Sequence, residues 1–573
     1  MLNVKQLPEC PADLKVDKTE LRRCLIDGLF DEKIAEGSKV RHFYTYIKKG
    51  LLYNSPCVIV AVPDCQDPLQ YIESSIWLRF AEEHDVFISF AVPEGGCWAL
   101  DGTDADYMNK VFVQVQSRQA YIVMQDNIYA IGVGRGAVIA QQAVMKMSSE
   151  WSGLASFGEM LPEALLNSRA TLGSVDTGDS ELFISAVKTQ VPVWMAWKEN
   201  SGANAAVCEY WKAQNDSDAE KFSSECADEI WLPSNVCKKS QINEEKIAQV
   251  RVSNGFEGDP SAEFAGQVWQ FLNKACRHRS FGSKALRNRI DMNDYGFELH
   301  KMEFGGMTRK WYEYVPQAVR SSKTPVPLVV SMHGRGGSAD TFPSLSGMSR
   351  VAEERGFIAV FPEAGIHQQV QGGIKNVLLW DGFYEGERID DVGFILAMIK
   401  DILQRYNIDE GRIYSCGQSS GGMMTSKLAR EASKVFAAAA PWSGLVDLVG
   451  FVLPESIDPP IPYFFLYGEN DWLCSRGGSG DAVHKLAPDM DAFVQHLIKL
   501  YGLDKEPASY SCGEITYYIY RNKKRVPMLT IGRVANMPHA NYPGESWISY
   551  DEFFARFSRA EDGTLLYMGE PAY

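Results

Sequence analysis

The chain has 573 residues, more than one ordinary hydrophobic core accommodates, so two domains of about 280 residues each are expected. Hydrophobic residues make up 45% and charged residues 23% of the chain, as in soluble globular proteins. The formal net charge of −16 argues against nucleic acid or an anionic membrane surface as a partner, and no apolar run is long enough to span a bilayer.

The N-terminal residues have neither a basic start nor an apolar stretch of signal-peptide length, so a cytoplasmic location is the default expectation. A secreted protein whose leader had been removed would share these features. The 12 cysteines form no CxxC pair and no Cys/His cluster at metal spacing, and we interpret them as mostly buried thiols. Neither a metal nor a cofactor is expected.

The second half of the chain alternates apolar strands with amphipathic helices, which is typical of a mostly parallel sheet covered on both faces. It opens with a predicted hairpin, Glu298–Phe304 and Lys310–Val315. Helices are predicted over Met348–Arg355, Asp390–Tyr406 and Met490–Tyr501. The predicted sheet strands are Val326–Met332, Phe357–Phe361, Arg412–Cys416, Pro462–Tyr467 and Met528–Val534.

The first half repeats this order with recognisable residues. Arg41–Ile47 parallels Arg309–Val315, Cys57–Val62 parallels Pro327–Met332, Arg79–Glu83 parallels Arg350–Glu354, and Val193–Asn200 parallels Tyr463–Asn470. A duplication followed by decay is the simplest explanation, with the boundary in the charged stretch Arg277–Asp294. The sequence therefore predicts two tandem α/β domains, residues 1–280 and 281–573, that contact each other, and it leaves homodimer formation open.

A serine motif distinguishes the two halves. Gly417-Gln418-Ser419-Ser420-Gly421 follows a predicted strand and precedes a predicted helix, which is the setting that raises a nucleophilic serine above a sheet edge. The first half has Gly132-Val133-Gly134-Arg135-Gly136 at the corresponding turn, without the serine. Only the second half is expected to carry out chemistry.

A serine nucleophile needs a histidine base and a carboxylate that orients the imidazole. Of the three histidines after Ser419, we favour His539, which lies in a loop after the last strand, whereas His484 and His496 are interpreted as surface or helix-packing residues. Asp471 and Glu469 both follow a buried strand. Glu469 is kept as Glu199 in the first half whereas Asp471 becomes Ser201, so Asp471 is the favoured acid, although a turn or cap role stays open for either.

The tetrahedral intermediate also needs backbone N–H donors. One is expected to be the amide of Ser420, at the start of the helix. The second is expected from the loop His333-Gly334-Arg335-Gly336-Gly337, with the amide of Arg335 as the favoured donor. The first half has Pro63-Asp64-Cys65-Gln66 there, and no histidine near Val252-Ser253-Asn254-Gly255.

Residues 298–573 resemble the esterases grouped with poly(3-hydroxybutyrate) depolymerases and feruloyl esterases. The motifs that carry the resemblance are His333-Gly334 with Gly336-Gly337, Trp380-Asp381-Gly382, Asp390-Asp391-Val392-Gly393-Phe394, Gly417 to Met424, Gly468 to Asp471 and His539 to Gly544. The resemblance implies an α/β-hydrolase fold for both copies and a Ser419, Asp471, His539 triad that hydrolyses carboxylic esters through an acyl-enzyme without a cofactor. The chain departs from the family at Arg335, which is often cysteine there, and at Asn541-Tyr542, where a tryptophan is usual.

A serine carboxylesterase acting on feruloyl or other aromatic acyl esters is the leading functional hypothesis. Trp380 and Trp442 are candidate walls of an aromatic acyl pocket, with core packing as the alternative, and His333 is the third candidate substrate-binding residue. A depolymerase of hydroxy-acid polyesters or oligomers is the next hypothesis. A hypothesis of another class is a binding or scaffold protein whose inactive first domain docks a partner or carbohydrate.

Overall fold

The computed structural model describes residues 3–8, 23–24, 26–37, 39–52, 55–118, 121, 123, 127–161, 189–234, 246–277, 286–293, 295–369, 375–381, 388–475 and 484–573. The chain forms two compact units, Met1–Arg289 with Val370–Lys375, and Ile290–Gln369 with Asn376–Tyr573. The division after Arg289 falls within the charged stretch Arg277–Asp294 and later than the predicted boundary at 280. Residues 278–285, on both sides of that boundary, lie outside the described residues.

The first unit contains an 11-stranded sheet with the order β1-β2-β3-β5-β4-β6-β7-β8-β11-β10-β9. A further pair, β12 and β13, forms a small antiparallel sheet. The strands are β1 Val4–Gln6, β2 Gly28–Glu36, β3 Lys39–Ile47, β4 Cys57–Ala61, β5 Phe87–Ala91, β6 Ile128–Val133, β7 Gly153–Phe157, β8 Val193–Ala196, β9 Ser217–Phe222, β10 Glu229–Pro233, β11 Val250–Ser253, β12 Ala275–Arg277 and β13 Leu286–Asn288.

The second unit contains a 10-stranded sheet with the order β14-β15-β17-β16-β20-β21-β22-β25-β24-β23. Smaller sheets pair β18 with β19 and join β26, β27 and β28. The strands are β14 Phe297–Phe304, β15 Met307–Tyr314, β16 Val326–Met332, β17 Ile358–Pro362, β18 Ile366–Gln369, β19 Lys375–Leu378, β20 Ile408–Gln418, β21 Ala438–Trp442, β22 Tyr463–Gly468, β23 Ala508–Cys512, β24 Ile515–Arg521, β25 Pro527–Val534, β26 Phe557–Arg559, β27 Leu565–Tyr567 and β28 Glu570–Pro571.

Helices occupy most of the connections between the parallel strands. In the first unit they are Pro68–Ser74, Trp77–His84, Thr103–Ser117, Gly136–Lys146, Gly202–Gln214 and Ala262–Leu272, with a 3₁₀ turn at Glu94–Gly96. In the second unit they are Gln317–Arg320, Phe342–Ser346, Met348–Arg355, Asp391–Arg405, Ser420–Glu431, Pro488–Leu500 and Glu545–Trp547, which continues as a π-helix over Ile548–Phe553 and a 3₁₀ turn over Phe554–Arg556. Among the described helices, none is both long and apolar enough to cross a membrane.

The two large sheets share one topology. Apart from β1, each begins with two antiparallel strands, crosses five parallel pairs and ends with two antiparallel strands in the same spatial order. The central strands are buried along their whole length, as Cys57–Ala61 and all but the first residue of Val326–Met332 illustrate, because helices cover both faces. This confirms the predicted fold class, mostly parallel sheets flanked by helices in both parts of the chain.

One buried ion pair recurs at equivalent places. Arg309 donates to Asp391 (2.6 Å) and to the Glu363 carbonyl oxygen (3.0 Å), and the Asp381 amide donates to Asp391 (2.8 Å). In the first unit Arg41 and Asp104 form the corresponding pair (2.5 Å), with Arg41 also donating to the Val92 carbonyl oxygen (3.2 Å). In each unit the pair ties a strand near one edge of the large sheet to the first turn of a helix that comes later in the chain. Asp391 is therefore a structural residue.

Candidate active site

Ser419 lies at a sharp turn between β20 and the helix Ser420–Glu431. Its backbone has φ 56° and ψ −117°, in a region that serine rarely occupies, and its amide donates to the Trp442 carbonyl oxygen (2.8 Å). A Cβ on Gly421 would overlap the backbone oxygens of Met332 and His333. Glycine therefore allows the helix to begin close against β16, and this close packing holds the serine in its strained conformation.

The structure brings the three predicted triad residues together. The Ser419 hydroxyl lies 2.9 Å from Nε2 of His539, and Nδ1 of His539 lies 2.9 Å from each carboxylate oxygen of Asp471. With a proton on Nδ1, the imidazole donates to the carboxylate and accepts from the serine hydroxyl. Ser419 is 7% exposed and Asp471 is fully buried, so the hydrogen-bonded chain is largely shielded from water.

The Asp471 carboxylate also accepts hydrogen bonds from backbone amides of its own loop. Its Oδ1 accepts from the amides of Leu473 (2.8 Å) and Cys474 (3.1 Å). Glu469, the alternative acid, instead accepts from the amide of Asn536 (3.3 Å) and is partly exposed. Of the two candidates, Asp471 is the carboxylate next to the imidazole.

A buried carboxylate organises the loop that carries His539. Glu545 accepts from the Asn541 side-chain amide and from the Tyr542 backbone amide (2.9 Å). It is 1% exposed, so these bonds form in a medium that strengthens them. Sequence reasoning missed this residue, although a glutamate shortly after a candidate catalytic histidine was a signal for a loop tether.

The predicted oxyanion loop lies against the nucleophile. A Cβ on Gly334 would be 3.3 Å from Cβ of Ser419, while the amides of Gly336 and Gly337 donate to the carbonyl oxygens of Leu378 (3.1 Å) and Gly334 (3.0 Å). Those two amides are therefore already used within the protein. The Ser420 amide begins the helix, where N–H groups have no acceptor within the helix. The assignment of the Ser420 and Arg335 amides as oxyanion donors stays a prediction.

The three candidate substrate-binding side chains are placed differently from the prediction. Trp380 and Trp442 are 1% and 0% exposed, and their indole N–H groups donate to the His333 carbonyl oxygen (2.7 Å) and to Oγ of Ser549 (3.0 Å). His333 is 1% exposed, and its ring bonds the Gly334 carbonyl oxygen (2.7 Å) and the Ala364 amide (3.1 Å). We correct the prediction, since all three support the loops from inside and have no surface for a ligand.

An exposed aromatic ring was missed instead. Trp472 directly follows Asp471, is 58% exposed, and has its ring centroid 5.3 Å from that of His539. The available signal was a tryptophan directly after the predicted catalytic acid, in a stretch without helical or strand periodicity. Its ring can contact a substrate at the reacting group.

The equivalent turn in the first unit has glycine in place of the serine and a similar φ. Gly134 has φ 56°, the same value as Ser419, and donates to the Phe157 carbonyl oxygen (2.8 Å). Ser201 caps the helix Gly202–Gln214 through the Asn204 amide (3.2 Å). Arg135 pairs with Asp64 (3.4 Å), which belongs to the loop that corresponds to the oxyanion loop. Within the described residues, no group of His, Cys, Asp or Glu side chains in either unit is arranged to hold a metal ion.

The strand order and the serine–histidine–aspartate geometry are those of the α/β-hydrolase class. Residues 311–451 match the family model described as esterase PHB depolymerase. The chain is 35% identical over 134 residues to feruloyl esterase B of Thermothelomyces thermophilus, covering 23% of this chain and 43% of that protein. It is 29% identical over 139 residues to acetylxylan esterase A of Emericella nidulans, covering 24% and 42%.

A solved structure, the acetyl xylan esterase from Aspergillus awamori, aligns with a TM-score of 0.33 and 18% identity over 45% of this chain and 99% of that chain. The matched stretch covers less than half of the length of the two curated relatives. The matches to the family model and to the curated esterases confirm the resemblance that the sequence motifs predicted.

Proposed function

We propose that this protein is a serine carboxylic-ester hydrolase whose chemistry is confined to the second unit. The observation that carries the proposal is the unbroken series of contacts from Ser419 to His539 to Asp471, 2.9 Å at each step. The similarity to curated feruloyl and acetylxylan esterases supports the same reaction class. No metal or cofactor takes part in the proposed steps.

In the proposed mechanism, Oγ of Ser419 attacks the ester carbonyl carbon while its proton passes to Nε2 of His539. The oxyanion is held by the amides of Ser420 and Arg335. The tetrahedral intermediate then expels the alcohol, which takes the proton from Nε2 and leaves an acyl group on Ser419. A water molecule repeats these steps, so the carboxylic acid is released and the serine is regenerated.

Aromatic acyl esters, such as hydroxycinnamoyl esters, are the proposed substrate class. Trp472 supports this choice, because its exposed ring lies beside His539 and can stack on an aromatic acid. Short acetyl esters of carbohydrates are the second candidate, which the acetylxylan esterase relatives favour. Polyester hydrolysis remains a further alternative, with the family match in its favour.

The direct test of the reaction is the Ser419→Ala variant assayed with p-nitrophenyl acetate. We expect kcat to fall by about 10⁴-fold or more, because the acyl-enzyme cannot form. Ser509→Ala, an exposed serine on β23, is the matched control and should retain full activity. Wild-type turnover in Ser419→Ala would reject the proposed nucleophile.

The substrate class is tested with Trp472→Ala. Loss of a stacked ring should raise KM for methyl ferulate by about fivefold and leave KM for p-nitrophenyl acetate unchanged. Tyr510→Ala, which removes an exposed ring from the edge strand β23, is the control. Equal changes for both esters would argue against stacking of an aromatic acyl group on Trp472.

The first unit is proposed to be a non-catalytic copy of the second. Its support is the shared strand order, the shared buried ion pair and the glycine at the serine position. The alternative to an enzymatic role is that this unit binds a partner or a carbohydrate, or serves as a scaffold.

A further inference from the structure

A cavity of about 260 Å³ lies in the first unit, remote in the fold from the turn at Gly134. Its walls come from β8, β11 and the helix Ala262–Leu272, together with the segment that precedes β10. Ser419 belongs to the other unit, so the cavity is not part of the proposed active site. Its size suits a molecule of roughly ten heavy atoms.

Arg251 is the central side chain of this cavity. Its guanidinium carbon lies 4.2 Å from the ring centroid of Phe271 and 5.0 Å from that of Trp194, and its Nε donates to Oε1 of Gln249 (2.9 Å). In the part of the chain that the structure describes, no carboxylate lies within salt-bridge distance of Arg251, and its two terminal nitrogens donate to no protein acceptor.

Burial lowers the pKa of Arg251 to about 10, which leaves the guanidinium charged at neutral pH. A charge that has lost part of its water and has no protein counter-ion is costly, and a bound anion offsets that cost. The aromatic rings hold the guanidinium in place while its terminal N–H groups remain available for a ligand.

The described lining residues carry only positive charge. Among them Arg251 and Lys274 are cationic, Gln267 and Gln270 contribute amides, and none is an aspartate or a glutamate. This contrasts with the chain as a whole, whose formal net charge is −16. A basic pocket in an acidic protein concentrates small anions locally.

Aromatic side chains pack together at the corresponding place in the second unit. Phe464 of β22, which corresponds to Trp194, contacts the rings of Phe553 (5.7 Å) and Tyr517 (6.4 Å). The strand neighbour of Phe464 on β25 is Thr530, whereas the neighbour of Trp194 on β11 is Arg251. The arginine is thus a feature of the first unit that the shared fold does not require.

We propose that this cavity binds a small organic carboxylate, with the carboxylate held by the two terminal nitrogens of Arg251. A guanidinium presents paired donors at the spacing of a carboxylate, so a bidentate contact satisfies both groups. The glutamine amides of the helix Ala262–Leu272 face the same space and can bond polar substituents of the ligand. The apolar part of the ligand rests on Phe271.

The test uses the full-length protein and two fluorinated probes, 4-fluorobenzoate and 4-fluorobenzamide, followed by ¹⁹F NMR line broadening. The probes have nearly the same shape and differ in charge. We expect 4-fluorobenzoate to bind with a dissociation constant of about 1 mM or lower and 4-fluorobenzamide to bind at least about tenfold more weakly. Equal binding of the two probes, or no binding of either, would overturn the proposal.

Two variants assign the binding to the cavity. Arg251→Met keeps the aliphatic stem against the rings and removes the charge, and Gln270→Glu adds a negative charge at an exposed position on the rim. Both should weaken 4-fluorobenzoate binding by about tenfold, whereas Lys221→Met, an exposed basic residue on β9, should not. Unchanged binding in Arg251→Met would show that the probe occupies another site, such as the active site, and would reject the assignment. Hydrolysis of p-nitrophenyl acetate should be the same in all three variants, which separates this proposal from the proposed function.

Discussion

Asp471 receives three hydrogen bonds, and their directions decide what the residue can do. Two backbone amides and the His539 ring all donate to it, so the site is built for an acceptor with a full negative charge. An asparagine would keep the volume and would present an amide that donates to Nδ1. The imidazole would then carry its proton on Nε2, where the serine hydroxyl cannot be deprotonated.

Asp471→Asn should therefore lower kcat for p-nitrophenyl acetate by about 10⁴-fold with little change in fold. Glu469→Gln is the matched control, because that carboxylate contacts the Asn536 amide and not the imidazole, and it should keep most of the activity. The two kcat values, measured beside circular dichroism spectra, check the assignment. A larger loss in Glu469→Gln than in Asp471→Asn would reverse it.

His484 shows a different consequence of burial. The Tyr520 hydroxyl and Nε2 of His484 form a hydrogen bond (2.7 Å), and Nδ1 of His484 has no hydrogen-bond partner among the described residues. Burial, with a smaller contribution from the nearby Arg533, lowers the pKa of His484 to about 4. Because this pKa is below the unfolded value of about 6.5, the stability that depends on neutral His484 is complete above pH 6.5 and is lost as the pH falls towards 4.

His484→Gln should remove this part of the acid sensitivity, since glutamine can accept from Tyr520 without titrating. Between pH 7 and pH 5 the wild type should lose about 2 kcal/mol more unfolding free energy than the variant. Urea unfolding at the two pH values measures the difference. The same pH dependence in both proteins would show that His484 is not protonated in this range on unfolding.

At the scale of elements, the turn before the helix depends on backbone contact in both units. A Cβ on Gly421 would overlap the Met332 carbonyl oxygen, and a Cβ on Gly136 would overlap the Ala61 carbonyl oxygen in the same way. Backbone atoms cannot rotate away as a side chain can. The glycine is therefore required by the packing of helix on strand, independently of catalysis.

Gly136→Ala and Gly421→Ala should each destabilise the protein by about 3 kcal/mol or more. The control is Gly202→Ala at the first residue of the helix Gly202–Gln214, where an added Cβ meets no atom within 4 Å. That variant should change stability by about 0.5 kcal/mol at most. Thermal unfolding measures the stability of the three variants. A Gly136→Ala protein as stable as Gly202→Ala would contradict the packing argument.

Elements with strong local patterns could be predicted from the sequence. Val326–Met332 and Met348–Arg355 are observed at the predicted residues, because a long apolar strand and an amphipathic helix each have a clear periodicity. The strand predicted at Arg412–Cys416 extends over Ile408–Gln418, since pairing with β16 and not local composition sets its start. The short strands β26 to β28 were not predicted, because two or three residues are too few to show an alternation of apolar and polar side chains.

The candidate site likewise contains residues that could be predicted from the sequence and residues that could not. Ser419, Asp471 and His539 could be found from motif spacing, since each follows a strand at the same edge of the sheet. The burial of Trp380 and Trp442 could not, because sequence does not say which face of a loop a large ring occupies. Glu545 was missed for the same reason, as its contacts with Asn541 and Tyr542 depend on how the loop folds back.

At the scale of the whole molecule, the two units have the same topology. Comparing equivalent positions therefore indicates which groups the proposed catalysis needs. Its turn at Gly134 has the backbone of the active-site serine, and its described histidines, His42 and His84, lie on β3 and on the helix Trp77–His84. Ser201 is a helix cap and not the partner of an imidazole. Among the described residues, a serine at position 134 would therefore have no histidine base.

Gly134→Ser combined with Ser419→Ala should be as inactive on p-nitrophenyl acetate as Ser419→Ala alone. The same should hold when Ser201→Asp is added, since the carboxylate has no imidazole to orient. The rates of the three proteins, compared with the uncatalysed rate, check this. Hydrolysis regained by either combination would show a second catalytic centre in the first unit.

The equal φ of 56° at Gly134 and Ser419 has an energetic consequence. Glycine adopts that conformation freely, whereas a serine held there costs on the order of 1–3 kcal/mol. Under the proposed function, the second unit bears this conformational cost at its nucleophile, whereas the first unit, with glycine at the same turn, does not. The two units would then stand on opposite sides of a trade between stability and activity.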